Sequence, residues 1–130
     1  MATANEQVVR DGYAAFGAGD LDTLKKLMVP DVVHSVPGDN LISGDHTGID
    51  DVLGLYGKLF ELSGGTMAVT LNSATAEGDD HVIAKHIGKA ERNGTTLESD
   101  ATMDFTIKDG KIVRIDETND DQATEDAFWV

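Results

Sequence analysis

At Thr66 the apolar residues change their spacing. Before it they recur every three or four positions; after it they alternate. A 3.6-residue period buries one face of a helix, and a period of two buries one face of a strand. A helical half followed by a strand half is the order of an α+β domain, with helices laid on one face of an antiparallel sheet. At 130 residues, the chain fits one such domain over residues 1–130.

Local signals divide the two halves. Thr3-x-x-Glu6 has the form of a capping box, and Val9, Tyr13 and Phe16 follow on one helical face. Gly17 and Gly19 close that helix. Asp20 can cap a second helix with Leu21, Leu24, Leu27 and Met28 as its stripe, and Pro30 is expected to stop it. Val32–Val36 reads as a short β element that breaks at Pro37-Gly38. A third helix starts near Ile49-Asp50, carries Ile49, Val52, Leu53, Tyr56 and Phe60 inward, and ends at Ser63-Gly64-Gly65; Thr47 or Asp50 is its expected cap. Four strands follow from Thr66. Asn93-Gly94 and Lys108-Asp109-Gly110 mark tight hairpins, because Asn, Asp and Gly tolerate positive φ. Asp120, Asp121, Glu125 and Asp126 read as a solvated tail, with Phe128 and Trp129 folding back onto the domain or across a dimer interface.

Charge and composition exclude several roles. With 24 acidic against 10 basic residues the formal charge is −14. Phosphate backbones and anionic membrane surfaces would be repelled, so neither nucleic acid nor membrane is an expected partner. The charge gives a soluble acidic surface, or one adapted to high salt where it would be screened. No cysteine is present, which removes disulfides and thiolate chemistry. Zinc spacing, a Gly-rich phosphate loop and a nucleophile elbow are also missing, so no metal and no cofactor is expected. The stretch MATANEQVVRDG has neither the basic nor the apolar region of a leader, and the chain reads as cytoplasmic.

Three segments stand in order: YAAFGAGDLDTLKKLM, then DVVHSVPG and ISGDHTGIDDVLGLY, then DFTIKDGKIVRIDE followed by DDQATEDAFW. Together they resemble the SnoaL-like, ketosteroid isomerase-like branch of the nuclear transport factor 2-like superfamily. The resemblance implies a cone-shaped α+β barrel, three N-terminal helices packed on a curved, mostly antiparallel sheet that encloses a pocket. It further implies a homodimer and a small apolar ligand or substrate. Phe16, Val36, Tyr56, Phe60, Met103, Phe105 and Glu117 would wall the pocket. One such fold hosts many functions, so activity has to be argued from the site.

Tyr13 resembles in position the phenol donor of ketosteroid isomerase, where a phenol and a protonated Asp face an Asp base. The rest of that set does not carry over. The base's Glu-Asp-Pro context is met here by Ser35-Val36-Pro37, and the second Asp falls near Ala101 or Thr102. Asp100 and Asp104 alternate to the opposite face. His34, on the strand expected to line the pocket, is the first candidate for a general base, since histidine titrates near neutrality. Its plain alternative is a hydrogen-bonded histidine at the sheet edge, or a solvent-facing one. His86 shares a face with Val82, Ala84, Gly88 and Ala90, small residues that leave room for a ligand; the alternative is an exposed or interface histidine. Glu117 could reach the cavity with Val113 and Ile115 in its alternation. Asp45 and His46 sit among glycines as a rim, where Asp45 more simply organises a turn. The expectation is a cofactor-free isomerase, cyclase or dehydratase acting on an apolar carbonyl compound; the rival is a non-catalytic binding or dimerisation module of the same fold.

Overall fold

Thr3 starts the first helix as its spacing predicts. In the computed structural model, which describes residues 3–130, α1 (Ala4–Ala18) carries the full capping box between Thr3 and Glu6. The second oxygen of Glu6 accepts from the Ala76 amide at 2.7 Å, so the cap also ties the helix to the sheet. Gly19 ends α1 in the left-handed conformation, with φ 67°. Asp20 then caps α2 (Leu21–Leu27) through the Thr23 amide.

The segment after α2 differs from expectation. Pro30 does not stop the helix; Met28 is already extended, and Pro30 lies inside β1 (Met28–Val36). Pro lacks a ladder donor and is tolerated where a strand is irregular, and here the register slips between Met28 and Val33. The single β element is in fact a hairpin. β1 pairs antiparallel with β2 (Gly44–Thr47) and parallel with the last strand. α3 (Ile49–Leu62) follows with Gly48 at its N-cap and no side-chain cap, in place of the expected Thr47 or Asp50. Asp50 and Asp51 in its first turn favour the helix dipole instead.

The second half is the predicted meander: β3 (Ala68–Glu77), β4 (His81–Arg92), β5 (Thr95–Lys108) and β6 (Lys111–Asn119). Asn93 and Gly94 take φ 52° and 79°, and Asp109 and Gly110 take 52° and 76°, as a type I′ turn needs at both central residues. The strand order β2-β1-β6-β5-β4-β3 leaves β2 and β3 as free edges. The curved sheet is mixed and open, so the barrel implied by resemblance does not close. Near the β5–β6 turn the register shifts after Thr106, and Ile112 rather than Val113 joins Ile115 in the core.

The chain end is not a solvated tail. Asp121 caps a fourth helix, α4 (Gln122–Phe128), through the Thr124 amide. Phe128 and Trp129 fold back, and Trp129 is 1% exposed. Burying a side chain of that size stabilises the fold by about 2–3 kcal/mol. The Leu41 amide donates to the Trp129 carbonyl at 2.9 Å, which locks α4 onto the loop before β2. Val9, Val32, Val52, Val82, Ile107 and Ile112 fill the core between helices and sheet. No helix among the described residues is long and apolar enough to cross a membrane.

Candidate functional site

The inner face of the sheet can be written as rows read across the ladder. His34, Ile115, Phe105 and Val82 form one row. The next is Glu117, Met103 and Ala84; then Asn119, Ala101 and His86; then Ser99 and Gly88. Successive rows lie about 7 Å apart, two residues along each strand. Polar side chains thus enter the concave face at four successive levels, among small and apolar neighbours. α1 contributes Tyr13 and Phe16 from above, α3 contributes Tyr56, and α4 and its C-cap contribute Glu125 and Trp129. These groups surround a cavity of about 110 Å³. An apolar cavity of roughly 150 Å³ accepts a benzene ring, so this space suits a compact ligand.

Two hydrogen-bonded sets converge there. Tyr13 Oη lies 2.7 Å from His86 Nδ1. His34 Nδ1 lies 3.0 Å from Tyr56 Oη, and His34 Nε2 lies 3.2 Å from Glu117 Oε1. His34 is 4% exposed, so the histidine expected to face the pocket is deeply buried. Both of its ring nitrogens are engaged. The more open group of the set is Glu117, 16% exposed against 4% for His34.

Burial acts differently on each member. It raises the Tyr13 and Tyr56 phenols well above their usual range, helped in each case by the charge of Glu117. It pulls His86 below its ordinary value, although Glu117 opposes this, and favours the neutral imidazole. For Glu117 burial alone would raise the pKa. The hydrogen bond and positive charge of His34 outweigh it, with smaller help from His86 and Asn119, and hold the carboxyl below 4.5. In the tautomer with its proton on Nδ1, His86 donates to the Tyr13 oxygen and leaves the phenol hydrogen free for a ligand. The set can therefore offer a carboxylate base at one level and a neutral hydroxyl donor beside it.

The remaining expected residues divide. Val36, Met103 and Phe105 line the cavity with Phe16 and Tyr56. Phe60 does not; it packs behind Phe16 with ring centroids 5.1 Å apart. Asp45 is exposed on β2, and His46 Nε2 donates to the Ile42 carbonyl at 2.8 Å. His46 thus holds Ile42, which does line the cavity, and neither rim residue reaches it. Ser99, Asn119 and Glu125 also line the cavity and were missed. Ser99 could have been found by running the Ala101, Met103, Phe105 alternation two residues back. Glu125 could have been found from its four-residue spacing to Trp129, which sets the two on one helical face; its carboxylate accepts from the indole Nε1 at 2.8 Å. Among the described residues no group of three or more His, Asp or Glu side chains is arranged to hold a metal ion.

The fold has relatives. TerC, co-crystallized with polyporic acid, shares the fold: TM-score 0.83 at 23% identity, over 97% of this chain and 98% of its own. Bal32a, from a soil-derived mobile gene cassette, is 33% identical with a TM-score of 0.95, over 98% of this chain and 97% of its own. The uncharacterized protein Rv0034 of Mycobacterium tuberculosis is 35% identical over 126 residues, 97% of this chain and 96% of the relative. The SnoaL-like domain family matches residues 9–115, from the first turns of α1 to the middle of β6. With the family model matched over residues 9–115 and relatives at 33–35% identity matched over nearly their full length, the chain belongs to the SnoaL-like domain family.

Proposed function

We propose that the protein is a cofactor-free acid–base enzyme, one domain acting on a small apolar carbonyl compound in the cytoplasm. The observation that carries this reading is the convergence of Glu117 with His34, and of Tyr13 with His86, on one apolar cavity. A carrier needs no such convergence, because apolar walls suffice to hold an apolar ligand. TerC, which shares this fold, was co-crystallized with polyporic acid, and that supports a small molecule as the ligand. In the proposed step Glu117 takes a proton from the carbon beside the carbonyl. The C–H electron pair becomes the new C=C bond, and the carbonyl π pair moves to oxygen. The Tyr13 hydroxyl stabilises that oxyanion by a hydrogen bond. His34 positions Glu117 and keeps it ionised. Returning the proton to another carbon isomerises the compound; loss of a β-hydroxyl as water dehydrates it. A homodimer would form on the outer sheet face, where half-buried Ile83 and Ile87 accompany the polar Asp100 and Thr102.

The test needs no natural substrate. The methyl protons of acetophenone exchange in D2O only through the enol, and NMR follows the loss of signal. Catalysed exchange at least about 100-fold over buffer is expected, the low end of general acid–base catalysis. Glu117→Gln should abolish it and His34→Ala lower it at least tenfold. Binding of acetophenone without catalysed exchange would replace the enzyme with a binding module.

A further inference from the structure

The cavity has a second polar end that the proposed chemistry does not use. Ser99 is 7% exposed and faces the cavity, and its Oγ has no hydrogen-bond partner. A buried hydroxyl without a partner costs stability. Beside it stands Glu125, 9% exposed, with Oε2 occupied by the Trp129 indole. The Ser99 hydroxyl lies close enough to favour the charged carboxylate, yet outside hydrogen-bonding geometry. Gly88 sits across the ladder from Ser99 and carries no side chain of its own; the Met67 methyl lies 3.6 Å from where its Cβ would stand, a flexible side chain at the edge of that space. The Ser99 row lies one step, about 7 Å, beyond the row of His86, and two beyond that of Glu117.

We propose that Ser99 and Glu125 form a binding subsite for a second oxygen, a hydroxyl or carbonyl, at the opposite end of a ring from the reacting carbonyl. The ligand class is thus a compact cyclic compound oxygenated at both ends, not a plain hydrocarbon ketone. Ser99 supplies a donor and an acceptor. Burial raises the pKa of Glu125, against the opposing effects of Ser99 and Trp129, so its carboxyl more readily keeps a proton to donate. α4, which carries Glu125, is held in register by Asp126, whose Oδ1 accepts from Asn40 Nδ2 at 2.8 Å and from the Asp39 amide at 3.1 Å. This inference rests on the ligand-pocket reading above.

Calorimetric titration with acetophenone and with 4-hydroxyacetophenone separates the two. The wild type should bind the hydroxylated ketone at least tenfold more tightly. Ser99→Ala should bring the ratio close to one while leaving acetophenone affinity unchanged. Glu125→Gln, which keeps an acceptor for Trp129, should reduce the ratio in a chain whose circular dichroism matches the wild type. Equal affinities in the wild type, or a preference that survives both substitutions, overturn the subsite and leave the pocket intact. Failure of both ketones to bind overturns the pocket reading and the subsite with it.

Discussion

Replacing His34 with Ala should turn Glu117 from a stabilising into a destabilising group, and pH should reveal the reversal. In the wild type the folded pKa of Glu117 lies below its ordinary 4.5. The ionised carboxyl therefore contributes stability that is present above about pH 4.5 and lost as pH falls through the folded value. The largest opposing cause is burial, since the side chain is only 16% exposed. His34→Ala removes the hydrogen bond and the charge that outweigh burial. The folded pKa should then rise above 4.5, so that ionised Glu117 costs stability at neutral pH. Leaving one member of a buried pair without its partner costs about 3–5 kcal/mol; His86 and Asn119 still favour the charge, so about 2–3 kcal/mol is expected. The measurement is urea unfolding of His34→Ala against His34→Ala/Glu117→Gln, which differ only at Glu117. At pH 7.5 the double variant should be more stable by that amount. The gain should shrink by about 1–2 kcal/mol by pH 5, since one pH unit of linkage is worth about 1.4 kcal/mol. No gain from Glu117→Gln at pH 7.5, or a gain constant between the two pH values, refutes the account of the Glu117–His34 pair.

Two further predictions concern stability. Ser99→Ala removes a buried hydroxyl that has no partner, and should raise stability by about 1 kcal/mol, read as a higher thermal midpoint; a lower midpoint would mean that the hydroxyl is bonded in solution. Gly38→Ala adds a Cβ at φ 90° that collides with the Gln122 and Asp126 side chains. It should cost about 2–3 kcal/mol and prise α4 from the loop before β2, seen as faster hydrogen exchange at the Leu41 amide, and an unchanged exchange rate would break the proposed link between that loop and α4.

What could be read from the sequence was what forms locally. The Thr3–Glu6 box, the Asp20 cap and the Asn93-Gly94 turn each draw on partners a few residues away, so the pattern and the structure agree. β2 and α4 escaped because their reasons are remote. Gly44–Thr47 is a strand only because β1 pairs with it, and its exposed residues show no alternation of their own. α4 is seven residues long, too short to be stable alone, and is held by Trp129 in the core and by Asp126 on the loop before β2. The site divides in the same way. Strand alternation offered His86 and Glu117 as inward candidates, with an exposed or interface position as the alternative for His86. The engagement of both His34 nitrogens was not visible, because Tyr56 and Glu117 stand 22 and 83 residues away.

In the proposed reaction that engagement decides which residue would act as base. Tyr13, Tyr56, His86 and Glu117 share one poorly solvated space, and burial penalises the charged form of every one. Without a compensating partner each of the four would be pushed towards its neutral form, which donates and accepts hydrogen bonds but is a poorer acceptor of a proton. Of the four only Glu117 is driven towards its ionised form, because the hydrogen bond and charge of His34 favour a carboxylate. The same burial that holds the Tyr13 phenol as a donor then sharpens the contrast between donor and base. A chain lacking the carboxylates of ketosteroid isomerase at their expected positions can in this way reach the same division of labour from the sixth strand, with a histidine on the first strand setting the charge.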